Sequence, residues 1–167
     1  MNRVDTFSAP WGTLLIATTS LAVGILVGVP IIGLTTGPRG EIPWFILMIM
    51  MPLTILLIGI LFTIRGYIVT GDTLLVQRLF WNTRVSLANL RSVEADPKSM
   101  AKTIRTWGNG GMFCFSGMFR NKKLGSYRAF VTDPKRSVVL KFSDQTIVVT
   151  PDRPEEFVAR IKAIRNL

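Results

Sequence analysis

The chain is 167 residues long, 49% apolar and 18% charged, with a mean hydropathy of +0.39. A soluble domain usually carries about a quarter charged residues, and here no charge falls between Asp5 and Arg39 or between Glu41 and Arg65. That excludes a single soluble globule, a disordered chain and a collagen-like chain, and leaves a membrane protein with a soluble tail.

The first apolar stretch, GTLLIATTSLAVGILVGVPIIGLTT, covers 12–36; the second, IPWFILMIMMPLTILLIGILFTI, covers 42–64. Each meets the requirement of about 20 apolar residues for a membrane-spanning helix. The connector around Pro38-Arg39-Gly40 is a turn by composition, so the pair is an antiparallel hairpin with both chain ends on one side. The first stretch is longer than the core of a signal peptide and lacks a clear cleavage motif, so it reads as an uncleaved helix. Arg65, Arg78 and Arg84 follow the second stretch, against Arg39 alone in the connector. The positive-inside rule then puts both termini in the cytoplasm of a two-pass plasma-membrane protein.

Trp11 and Trp44 fall at the span edges, as interfacial anchors do. Pro30 and Pro52 lie inside the spans and are expected to be tolerated there. No titratable residue lies in either span, which excludes an intramembrane proton relay. Thr18, Thr19, Ser20 and Thr54 are candidates for hydrogen bonds between the helices, and Gly24 and Gly28 for a close approach.

The tail counted from Arg65, residues 65–167, holds the chain's 20 Lys and Arg less Arg3 and Arg39, against its 10 Asp and Glu less Asp5 and Glu41. It therefore carries the whole net charge of +10. Such a domain would feel any anionic lipid surface; nucleic acid is the other usual partner of this charge. One Cys and no His exclude an internal disulfide, a Cys/His zinc site and His-based acid–base catalysis. Cys114, between Phe113 and Phe115, reads as a small strand residue and not a reactive thiol.

From Gly66 the pattern turns to strands. Tyr67–Val69 and Thr73–Leu79 flank a turn at Thr70-Gly71-Asp72. Arg84–Leu87 and a strand around Leu90 and Val93 follow, closed by Asp96-Pro97. Residues 98–111 are irregular by pattern and end in Gly108-Asn109-Gly110-Gly111. Two aromatic runs, Met112–Phe119 and Leu124–Thr132, are joined by Arg120-Asn121-Lys122-Lys123, and 137–142 and 145–150 form a hairpin. The chain ends in an amphipathic helix. Asp152 and Glu155 are spaced as a capping box, Pro154 sits in the first turn, and Phe157, Val158, Ile161 and Ile164 share one face. The tail thus reads as six or seven antiparallel strands closed by a helix, a small barrel or sandwich with one plugged end.

Four segments carry a family resemblance: Gly66-Tyr67-Ile68-Val69-Thr70-Gly71-Asp72-Thr73-Leu74, Val85-Ser86-Leu87-Ala88-Asn89-Leu90-Arg91-Ser92-Val93, the Gly/Phe run from Gly110 to Arg128, and Thr150-Pro151-Asp152-Arg153-Pro154-Glu155-Glu156-Phe157. Together they resemble the bacterial pleckstrin-homology-like membrane proteins, in which one or two membrane helices precede a PH-type domain. The resemblance runs from Gly66 to the end and implies a PH-like barrel with a C-terminal helix. It supplies no ligand, because fold analogy does not.

The Gly-rich run lacks the Gly-Lys-Ser/Thr of a phosphate loop and reads as a loop or bulged strand entry. Arg120, Lys122 and Lys123 sit at a hairpin tip. They either dock on anionic lipid, with Phe119 inserting beside them, or form a solvated loop. The cluster falls late in the barrel, not between the first two strands as in many inositol-phosphate-binding PH domains, so that site is not carried over. Asp96, Asp133 and Asp144 are explained by turn chemistry, and no motif interleaves Arg with aromatics for nucleic acid. The expectation is a noncatalytic, membrane-anchored binding or scaffold module without cofactor or metal. Its partners are the bilayer and a protein or a second copy. The alternative is a small subunit of a transport or secretion complex; the bulky apolar surface of the second span favours simple anchoring.

Overall fold

The computed structural model describes residues 4–38 and 41–166. A short strand, β1 (Val4–Ser8), precedes the helix α1 (Thr13–Thr36), and α2 (Ile42–Leu61) returns antiparallel to it. Both helices are long and apolar enough to cross a membrane. Both are mostly exposed. In α1 only Leu15, Thr19, Pro30 and Gly33 are buried, and in the last three turns of α2 only Pro52 and Gly59. Bulky side chains such as Leu21, Ile32 and Leu57 face outward, and soluble monomers do not leave a continuous apolar surface of this size in water.

The expected prolines shape the helices. Pro52 has no N–H to offer, and its ring crowds the carbonyl of Met48. The turn before it, Ile46–Met50, widens to a π-helical spacing, which relieves that crowding. The helices pack closely at Gly33, where an added Cβ would lie 3.1 Å from that of Met48. Gly24 and Gly28 face no neighbour at all. The expected interhelical hydroxyl bonds are likewise absent among the described residues. Thr54 bonds its own helix at the Met50 carbonyl (2.7 Å), Ser20 is exposed, and Thr18 and Thr19 turn toward the domain.

The domain contains nine further strands: β2 (Gly66–Thr70), β3 (Thr73–Gln77), β4 (Asn82–Ser86), β5 (Leu90–Ala95), β6 (Ile104–Gly110), β7 (Phe115–Asn121), β8 (Gly125–Val131), β9 (Val138–Phe142) and β10 (Thr146–Val149). One sheet has the order β1-β2-β3-β4; the other runs β5-β9-β10-β8-β7-β6. The ten strands exceed the six or seven expected, and they are not all antiparallel, because β10 runs parallel to β8. Two strands fall where none was expected. β1 pairs with β2, setting Phe7 opposite Tyr67, so the first sheet takes strands from both sides of the helical hairpin. β6 occupies half of the segment expected to be irregular.

Between the sheets lies a core of Tyr67, Leu74, Val76, Leu140, Ile147 and their neighbours. The final helix, α3 (Pro154–Arg165), closes it. Phe157 and Ile161 are fully buried, and Phe157 meets the Phe7 ring edge-on at 5.1 Å. The basic face of α3 is tied to the sheet: Arg165 reaches Asp72 (3.0 Å) and the Ala88 carbonyl (2.6 Å), and Arg160 pairs with Asp5. The expected capping box does not form. Pro154 takes the first helical position, which makes Arg153 the cap residue and leaves Asp152 one place too early. The Asp152 carboxylate instead lies 3.5 Å from the Arg153 guanidinium. A second cluster on the outer face of the six-stranded sheet includes Phe119, Tyr127, Ala129 and Leu15 from the first turns of α1.

Candidate functional site

The β7–β8 turn carries the three cations singled out in the sequence, and Asn121 builds it. Its side-chain oxygen accepts from the N–H groups of Lys123 (3.1 Å) and Leu124 (2.8 Å). Its amide donates to the Ser99 carbonyl (2.7 Å) and the Thr103 hydroxyl (3.0 Å). The turn closes at Gly125, whose φ of +68° suits glycine. Through Asn121 the segment 96–103 is drawn against the turn, which brings Lys98 and Lys102 beside Arg120, Lys122 and Lys123. These five cations line a groove of about 720 Å³ with the exposed Ile104 at its wall. One carboxylate answers them: Asp96 pairs with Lys123 and also accepts from the Lys98 N–H. Lys98 and Lys102 lie about 20 residues away in sequence, so proximity along the chain gave no signal for them.

Phe119 does not reach outward beside this turn. It is 4% exposed and stacks on Tyr127, with ring centroids 6.2 Å apart, because alternation along β7 points it to the outer apolar cluster. The Tyr127 hydroxyl bonds Thr103 (2.8 Å), and burial raises its pKa.

The other end of β7 meets the helices. The loop from Gly108 to Cys114 folds on itself: the Asn109 side chain accepts from the N–H groups of Gly111 (3.2 Å) and Met112 (3.0 Å) and donates to the Met112 carbonyl (2.5 Å). Those N–H groups are therefore occupied and present no cradle to a phosphate. Thr18 and Thr19 of α1 both donate to the Gly111 carbonyl, at 2.7 and 3.2 Å, and the Phe113 N–H donates to Thr19 (3.0 Å). Gly111 has φ +124° and faces Thr18 and the Phe115 ring, so a side chain there would be both strained and crowded. Met112 and Phe113 press on Gly59 of α2. Trp11 stands edge-on to Phe113 at 6.0 Å, and Trp44 covers Gly37 at the far end of the hairpin.

Cys114 ends this loop, just before β7, and is not in a strand. It is fully buried, its thiol donates to the Phe62 carbonyl (3.3 Å), and burial pushes its pKa up to about 11. Beside it, Arg78 caps the end of α2, donating to the Phe62 carbonyl (2.6 Å), and also donates to Ser116 (2.9 Å) and Thr83 (3.3 Å). A cation at a helix C-terminus is favoured by the carbonyls there. Its guanidinium lies over the rings of Phe62, Trp81 and Phe130. Burial lowers the pKa of Arg78, and the neighbouring Arg128 acts in the same direction.

Asp96 and Asp133 accept backbone N–H groups two residues on, as turn residues do. Among the described residues no group of three or more Cys, Asp or Glu is placed to hold a metal ion. Compared with known proteins, the sequence profile of the bacterial PH domain matches residues 65–164. No curated protein and no solved structure matches the chain.

Proposed function

The chain belongs to the bacterial PH domain family, and from that premise we propose that it is a noncatalytic binding or scaffold module anchored in the plasma membrane by α1 and α2, with both termini in the cytoplasm. Three features support the anchor. The helices are apolar on nearly every side. The loop 108–114 is bonded to α1 at Thr18 and Thr19, which favours an uncleaved helix over a removable leader. The pairing of β1 with β2 brings the start of the chain to the same side as the domain.

The observation that carries the binding role is the groove at Arg120, Lys122 and Lys123. Five cations surround it, and one carboxylate answers them. It lies at the end of β7 away from the loop bonded to α1, roughly 20 Å along the strand at the usual rise per residue. A site so placed presents its charge to the cytoplasm, and its partner is an acidic segment of another protein. Long-range attraction of this kind is strongest at low ionic strength.

Full-length protein in nanodiscs of neutral lipid tests this with a fluorescent polyglutamate peptide. Binding is expected at low salt, to weaken as salt is raised, and to be lost in Arg120→Gln/Lys122→Gln/Lys123→Gln. Unchanged binding by that variant would overturn the assignment. A reporter fused to the C-terminus tests the topology: activity on the extracytoplasmic side would contradict it.

A further inference from the structure

A second groove, of about 730 Å³, opens where the six-stranded sheet meets α2. Its composition is graded. At the helix it is walled by Ile55 and Ile58 of α2, with Trp107 and Met118 of the β6–β7 hairpin opposite; these four side chains are 38%, 50%, 79% and 40% exposed. The rest of its lining is polar and cationic, with Arg78 at the end of α2 and Arg128 and Gln145 on the sheet.

The cations are placed without acid partners. Among the described residues, no carboxylate lies within 4 Å of Arg78 or Arg128. Asp144 lines a separate cleft of about 240 Å³ with Arg84 and Arg128 and forms no ion pair with either. Arg78 places N–H donors on Phe62, Thr83 and Ser116 and also meets the Cys114 sulfur. Arg128 lies over the Phe130 ring at 4.9 Å and is exposed. Arg78 is buried and answered by its hydrogen bonds and rings, so the exposed Arg128 is the cation of this groove that has no hydrogen-bonded or acidic partner among the described residues.

We propose that this groove binds one anionic phospholipid of the surrounding leaflet, its phosphate at Arg128 and its acyl chains along Ile55 and Ile58. The inference rests on the membrane-anchored reading of α1 and α2. The occupant follows from the lining. A free phosphate would leave the Ile55, Ile58 and Trp107 wall bare, and an acidic peptide would have to bring carboxylates against a helix whose outward surface faces lipid tails. An amphiphile with a negative head and apolar tails satisfies both ends, and the groove is continuous with the outward surface of α2, so lipid enters from the bilayer without crossing water. Trp81, edge-on to Phe62 at 5.3 Å, and the exposed Phe80 beside it extend the same apolar wall at the end of the helix.

The test uses full-length protein extracted from membranes, delipidated in mild detergent and titrated with phosphatidylglycerol or phosphatidylcholine, with native mass spectra counting bound lipids. One phosphatidylglycerol is expected to bind ahead of phosphatidylcholine. Arg128→Gln should weaken it about tenfold, the loss expected for a charge-assisted bond. Ile58→Asn should weaken it as well, while Arg120→Gln/Lys122→Gln/Lys123→Gln should not. Arg128 is on the surface, so its variant folds, and a melting curve alongside verifies this. Equal affinity for the two lipids, or unchanged affinity in Arg128→Gln, overturns the site while leaving the anchor intact. Inorganic phosphate competing as well as the lipid also overturns it. Recovery of the chain in the soluble fraction, without detergent, overturns the anchor and the lipid site together.

Discussion

At one end of β7 the chain passes through Gly108 to Cys114 and is bonded to α1; at the other it passes through Arg120 to Gly125 and carries lysines into a basic groove. Each end is organised by one asparagine. Asn109 gathers the backbone of its loop, and Asn121 gathers the turn and the segment beside it. What differs is how the remaining polar groups are satisfied. Near the helices, hydroxyls of Thr18 and Thr19 take the Gly111 carbonyl and the Phe113 N–H, because Thr19 and Gly111 are buried in the packing and must be satisfied internally. At the basic turn, three cations stay in solvent and a single ion pair is made. The same strand pair thus serves two environments, and each end can be disturbed without the other only if the core between them holds.

The largest effect should come from that core. Phe157→Ala removes a fully buried ring that meets Phe7 and Tyr67. Such truncations cost about 3–5 kcal/mol, and a chain of this size loses roughly 2–4 °C of melting temperature per kcal/mol. The detergent-solubilised protein should therefore melt about 10 °C lower, and both ends of β7 should lose hydrogen-exchange protection together. A variant that melts like the parent would mean that α3 does not close the core.

Thr19→Val should act on one end. Valine keeps the shape, but it leaves the Phe113 N–H without its acceptor and removes one donor from Gly111. An orphaned buried group costs about 1–3 kcal/mol. Faster amide exchange is expected at 111–113 with no change at 121–125. Equal change at both ends would show that the two are not independent.

The stability of the region beside the loop also has a pH limit. The Cys114 thiol, ordinarily near 9.0, is pushed up to about 11 by burial, and Tyr67 is pushed from 10.0 to about 12 for the same reason. In the unfolded chain these groups ionise at their ordinary values. The folded form therefore keeps its full advantage below pH 9 and loses it as pH rises toward 11 and then 12. Melting temperature should be flat from pH 7 to about 9 and then fall. Cys114→Ala should delay the start of the fall to about pH 10, where Tyr67 takes over. A decline that begins below pH 8 would point to some other group.

The sequence made some of this legible and hid the rest for identifiable reasons. The two apolar helices stand out because charge is absent from long stretches, and the α3 stripe because Phe157, Ile161 and Ile164 recur at helical spacing. β1 was hidden because Val-Asp-Thr-Phe-Ser buries only Phe7, which is too little for an alternation to register. β6 was hidden because Ile-Arg-Thr-Trp-Gly-Asn-Gly buries none of its side chains, so a true edge strand carries the composition of a loop. Arg120, Lys122 and Lys123 were visible as a run, whereas Lys98, Lys102 and the Arg78–Arg128 pair are assembled only by folding. The cap was misplaced by one residue because Asp152 and Glu155 fit a capping box as well as Pro154 fits a first turn, and spacing does not rank the two.

The smallest effect on folding belongs to the basic turn, and that smallness is what sharpens the contrast between the ends. In Arg120→Gln/Lys122→Gln/Lys123→Gln the exposed ion pair of Lys123 with Asp96 is lost, and such pairs contribute at most about 1 kcal/mol. Removing three like charges that crowd one groove offsets part of that. Asn121, which builds the turn, is untouched. The melting temperature should then stay within about 2 °C of the parent, and adding the three changes to Thr19→Val should give the sum of the separate effects, since the sites share no partner. A drop of several degrees would show that these cations hold the turn together. In that case the groove is part of the scaffold, and the polyglutamate site must lie elsewhere on the domain.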